Sequence, residues 1–148
     1  MAERIWSVYL SGEIHSDWRQ RIRAGAAKLP VEFTSAVTDH GASDSVGERI
    51  LGSEADVFWH DHKAAKINAI RIRAMLDEAD LVVVRFGDKY RQWNAAFEAG
   101  YAVALGTPII TLHDGDLNHA LKDIDAAAQA ICETPEQVVK ILAYVTQD

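Results

Sequence analysis

The chain has 148 residues, 49% hydrophobic and 25% charged, with a formal net charge of -7. This is enough chain for one sizeable core, and the acidic balance argues against binding along a nucleic-acid backbone, which needs a basic footprint. With no apolar run long enough to span a bilayer and no leader pattern after Met1, a cytoplasmic location is expected, with neither membrane nor nucleic acid as a partner.

The apolar run at residues 5–10 predicts a first strand, followed by a loop at 11–16. Ser16 is placed to cap a helix beginning near Asp17, which runs through Trp18, Ile22, Ala26 and Leu29 and stops before Pro30. Residues 31–34 read as a second strand. Residues 35–62, rich in Asp, His, Gly and Ser, read as an irregular stretch with one helical turn near 46–51, and a loop of that length is expected to be functional or lid-like. A helix over 63–77 is expected to put Ala64, Ile67, Ile70 and Ala74 on one side.

A buried strand at 81–85 leads into a helix whose Ala95, Ala99 and Ala102 form a small-residue face, stopped by Gly106-Thr107-Pro108. A strand at 109–112, a helix at 118–127 and a strand at 130–132 follow, the last making the lone Cys132 a small core residue with no disulfide partner. Thr134-Pro135-Glu136-Gln137 opens the final helix with a capping box, and that helix ends near 145. The alternation predicts one α/β domain over 1–148, in three layers, around a five-stranded parallel sheet of flavodoxin-like order 2-1-3-4-5.

Glu98 falls in the first turns of the helix after the third strand, at the rim where open α/β sheets bind ligands. It is either a helix-face charge or a reactive group. Gly12 and Gly100 make no dinucleotide fingerprint and there is no phosphate-loop motif, so no cofactor is called for. The clusters at 59–62 and 113–116 lack metal-ligand spacing and read as polar loops, so no metal is expected.

Four segments taken together resemble the nucleoside 2-deoxyribosyltransferase superfamily. They are Tyr9-Leu10-Ser11-Gly12-Glu13-Ile14-His15, Ala79-Asp80-Leu81-Val82-Val83-Val84, Phe97-Glu98-Ala99-Gly100-Tyr101-Ala102 and Gly106-Thr107-Pro108-Ile109-Ile110. Residues 9–19 and 86–94 are similar, more narrowly, to its YtoQ family. The resemblance implies that Glu98 is a nucleophile attacking C1′ of a nucleoside or nucleoside monophosphate. A glycosyl-enzyme ester would form and be resolved by water or by a second base. The alternative is a nucleotide-binding or sensing module without catalysis. Tyr9, Ser11 and Gly12 would lie against the nucleoside, and a homo-oligomer is implied.

Two stretches depart from the transferase pattern. Arg91-Gln92-Trp93-Asn94 stands where transferases place Asp, Gly and Thr, and Arg71-Ile72-Arg73 where they carry an Asp. Arginine in place of carboxylate favours an anion such as a 5′-phosphate. Of Arg19, Arg71 and Arg73, Arg71 is expected to point inward, because it follows Ile67 and Ile70.

Several residues keep two readings. Glu13 is an acid or ribose ligand, or a brace for its loop, and His15 is an acid or base near the cleft. Trp93 stacks on a base or packs in the core, and Asn94 caps the helix or binds a sugar hydroxyl. Tyr101 orients Glu98 or simply packs.

Overall fold

Strands β1 (Trp6–Gly12), β2 (Val31–Ser35), β3 (Leu81–Arg85), β4 (Ile109–Leu112) and β5 (Ala130–Cys132) lie parallel in the order β2-β1-β3-β4-β5. The computed structural model describes residues 3–147. Both faces of the sheet are covered, which gives the three-layer arrangement expected from the alternation. On one face Val8, Leu10, Val83 and Ile110 pack beneath α1 (Trp18–Gly25) and α6 (Pro135–Val145), whose Trp18, Ile22, Val138 and Leu142 fill that core. On the other, Tyr9, Val82 and Val84 meet α3 (Val57–Glu78) and α4 (Trp93–Ala104) through Leu76, Ala95, Ala99 and Ala102. The two-residue period of a strand thus sends Tyr9 and Leu10 to opposite cores.

β1 extends two residues beyond the expected end because Ser11 and Gly12 pair with Val84 and Arg85 of β3. Gly12 is required there. Its φ is +124°, and an added Cβ would lie 2.0 Å from the Arg85 carbonyl oxygen. Ser16 does not cap α1. Its amide and hydroxyl are drawn instead to the Glu13 carboxylate, and the helix starts at Trp18.

The stretch 35–62 is mostly helical, contrary to the expected irregular loop. It holds α2 (His40–Leu51) and the beginning of α3, capped by the side chains of Asp39 and Asp56. Gly41, Ser43, Ser45 and Gly47 are weak helix formers, so the pattern carries little local signal. Tertiary contact supplies the rest. Asn68 Nδ2 donates to the Ser43 carbonyl at 3.2 Å, and His60 Nδ1 lies 2.8 Å from Glu48 Oε1.

The expected inward face of α3 is also corrected. Ile70 is 74% exposed, and burial runs instead through Ala64, Ile72 and Leu76. Between β4 and β5 the helix is only α5 (Lys122–Ala127), after a 3-10 turn at Gly115–Leu117. It is tied to the sheet by Asp125, whose carboxylate accepts from Thr111 Oγ1 at 2.8 Å and lies 2.9 Å from His113 Nε2. The α6 capping box forms as expected, and Cys132 is buried in the core under α6. Among the described residues no helix is long and apolar enough to cross a membrane.

Gly47 is a point of close approach between α2 and α3: a Cβ there would sit 2.4 Å from Lys63 Cβ and 2.7 Å from the Ala64 amide nitrogen. Gly47→Ala is therefore expected to lower stability by about 1–3 kcal/mol, although alanine is the better helix former. Chemical denaturation measures the loss. A stability equal to or above that of the parent would disprove the close approach.

Candidate active site

Small residues on the inner face of α4 let that helix lie close to the sheet. Glu98 shares the face with Ala95, Ala99 and Ala102 and is carried inward with them, to 4% exposure. Across from it, Tyr9 leaves the sheet on the same side and its hydroxyl donates to Glu98 Oε1. Among the described residues no donor meets Oε2. Ser11, two residues on and therefore on the same face of β1, is buried beside the pair; its hydroxyl makes no hydrogen bond of good geometry among the described residues but lies near enough to the Glu98 carboxylate to favour its charge.

Burial pushes the Glu98 carboxyl above the ordinary carboxylate range, while the Tyr9 hydroxyl, Ser11 and the Arg19 charge pull it back down. The Tyr9 phenol is itself raised, first by burial and then by the neighbouring carboxylate, so it stays a neutral donor.

Glu98 lies in the wall of a cavity of about 610 Å³ at the carboxyl edge of the sheet. The loop after β1 contributes Gly12, Glu13 and His15, and the entry to α4 contributes Tyr90, Gln92 and Asn94. The opposite wall is Ile72 of α3, with Val37 after β2 and with His40 and Asp44 of α2. The His15 and Tyr90 rings face each other at 4.8 Å, linking the first two walls. Gln92 stiffens its loop by accepting from the Gly87 amide at 3.0 Å and donating to the Tyr90 carbonyl.

The structure thus gathers Tyr9, Ser11, Gly12, Glu13, His15, Asn94 and Glu98 into one place. Glu13 sits there as a brace. Its carboxylate accepts from the His15 amide at 2.6 Å, the Ser16 amide at 3.1 Å and the Ser16 hydroxyl. Asn94 lies in the first turn of α4 and is not its cap, a position taken by Gln92. Four residues separate it from Glu98, about 40° around the helix, so both face the cavity.

Three expected residues lie elsewhere. Trp93, five residues from Glu98 and so about 140° away around the helix, is 74% exposed, neither in the core nor in the cavity wall. Tyr101 turns to α3, donating to Asp77 Oδ1 at 3.1 Å, and does not orient Glu98. Arg71 is exposed, one position off the inward direction of Ile72, and lines a separate depression.

The inward arginine is Arg19. It is 6% exposed, and its guanidinium donates to the carbonyls of Glu13 at 2.6 Å and of Leu10 and Gly12 at 3.2 Å. Its spacing with Ile22 and Ala26, at i, i+3 and i+7, was the available signal. The α2 residues His40 and Asp44, 3.0 Å apart, had no comparable signal, because α2 itself was hidden.

A raised folded-state proton affinity at Glu98 favours the fold at low pH. That contribution is fully present below the ordinary value of 4.5 and is lost as pH rises through the raised one. Glu98→Gln removes the buried charge and keeps the shape. We expect a higher Tm at neutral pH and a flatter Tm–pH curve above about pH 4 to 5. Thermal melts across pH measure both, and an unchanged pH profile would contradict the buried ionisable carboxylate.

The family described as Nucleoside 2-deoxyribosyltransferase YtoQ matches residues 9–146. The uncharacterized protein YtoQ of Bacillus subtilis (strain 168) is 41% identical over 140 residues, covering 93% of this chain and 95% of the relative. Among solved structures, a 2-deoxyribosyltransferase from Bacillus psychrosaccharolyticus superposes with a TM-score of 0.57 at 18% identity, covering 90% of each chain. A conserved protein from Enterococcus faecalis V583 gives 0.57 at 15% identity, covering 96% of this chain and 99% of the other. At these identities the two structures show a shared fold.

Proposed function

From the premise that this chain belongs to the Nucleoside 2-deoxyribosyltransferase YtoQ family, we propose that it acts on the N-glycosidic bond of a nucleoside or nucleoside monophosphate. The single observation that carries this reading is the Glu98 carboxylate, which lines a cavity of about 610 Å³ with one oxygen held by Tyr9 and the other untaken among the described residues.

On this reading Glu98 supplies the nucleophile. Glu98 Oε2 attacks C1′, the C1′–N bond breaks, and its electron pair leaves with the base. Tyr9 fixes the carboxylate and remains a donor throughout. A buried carboxylate of raised proton affinity is a strong nucleophile once ionised, and it suits an oxocarbenium-like transition state. His15, an exposed imidazole in the cavity wall, is the candidate acid for the departing base, because the Glu13 oxygens are occupied by their own loop. Water, or a second base, then cleaves the glycosyl ester.

One observation favours a second reading, ligand binding without turnover. Of the other carboxylates in the wall, Glu13 is tied to its loop and Asp44 is paired with His40. A homo-oligomer accords with the exposed Ile70, Trp93 and Phe97 on the neighbouring helices α3 and α4. Light scattering decides the assembly.

The test is a panel of deoxynucleosides and their monophosphates assayed for released base. We expect release by the parent and a loss of about 10³-fold or more in Glu98→Ala. Ligand-dependent thermal stabilisation with no base released from any member would establish the binding module instead.

A further inference from the structure

Beside the Glu98 cavity, at the carboxyl end of edge strand β2, lies a second depression of about 430 Å³. Two arginines line it from opposite layers of the fold, Arg23 from α1 and Arg71 from α3. Among the described residues neither is in an ion pair, in a chain whose net charge is -7. The only hydrogen bond of Arg71 there is to the Ser35 carbonyl, at 3.3 Å, which leaves most of its donors unspent.

The floor is polar. Thr34 Oγ1 is shielded from solvent and has no hydrogen-bond partner among the described residues. The amides of Val37 and Thr38, which follow β2, likewise find no protein acceptor among the described residues. Two guanidinium groups free of ion pairs on one depression suit an oxyanion, which can accept from both forks.

We propose that Arg23 and Arg71, with Thr34 and the 37–38 backbone, form a binding site for a phosphate-type oxyanion, distinct from the Glu98 cavity. Ala36 and Val37 line both hollows, so the two sites are neighbours across one strip of chain. The phosphate is either free or the phosphate group of a ligand whose remainder enters the Glu98 cavity. The site itself does not depend on glycosidic activity, so it stands or falls separately from the proposed reaction.

Inorganic phosphate is titrated against the full chain by ³¹P NMR and by thermal shift, with chloride matched for ionic strength. We expect saturable binding and a rise in Tm, about ten-fold weaker or more in Arg23→Gln/Arg71→Gln and partly kept in Arg23→Lys/Arg71→Lys. Both side chains are exposed, so the variants retain the parent's circular dichroism and its melting in chloride. A deoxynucleoside monophosphate that displaces phosphate identifies a ligand-borne phosphate. Simultaneous binding of both identifies a free one. No phosphate effect beyond chloride, or an equal effect in the glutamine variant, overturns the site.

Discussion

A carboxylate taken out of water at the end of a parallel sheet carries a desolvation cost of several kcal/mol, and the surroundings of Glu98 are arranged around it. A hydrogen bond to a charged group returns on the order of 1.5–3 kcal/mol, so Tyr9 alone offsets only part of that cost. The remainder shows as a raised proton affinity, softened by Ser11 and by the positive charge of Arg19. Three elements have to cooperate to hold this state. The alanines of α4 allow close approach, the alternation of β1 aims Tyr9 and Ser11 at α4, and α1 delivers Arg19 over the end of the same strand.

The loop that follows β1 is built to stay in place. Arg19 grips the carbonyls of Leu10 and Gly12 at the end of the strand and of Glu13 in the loop, Trp18 Nε1 donates to the Glu13 carbonyl at 2.8 Å, and the Glu13 side chain closes on His15 and Ser16. Gly12 permits the backbone to pass directly over Arg85, where no side chain fits. A cavity wall made this way is pre-organised, which lowers the ordering cost of binding. It also explains why Glu13, although a carboxylate at the rim, is committed to its own loop by three hydrogen bonds.

The far wall is of another kind. It belongs to α2, whose packing is almost wholly against α3 and which reaches the cavity with His40 and Asp44. A twelve-residue helix with two Gly and two Ser has little reason to exist alone. It is held by Asp39 at its start, by Asn68 and His60 of α3, and by the absent side chain of Gly47. The far wall of the cavity therefore rests on the element with the weakest local encoding.

Strand order, both helical layers, the α6 capping box and the position of Glu98 were legible in the residues, because periodicity, caps and turn chemistry are local signals. The family was legible too, through short motifs at strand ends. What tertiary structure alone decided was direction and partnership. Arg71 and Arg19 are both arginines on helices, and although Arg19 shares the spacing of Ile22 and Ala26, it is the packing of each helix on the sheet that makes one a surface charge and the other a buried anchor. Tyr101 and Tyr9 differ likewise: a hydroxyl binds whatever acceptor the packing brings within reach, Asp77 for one and Glu98 for the other. Side-chain direction on a helix turns through about 100° per residue, so a one-position uncertainty in which face is buried reassigns every contact along it, and only the packed layers remove that uncertainty.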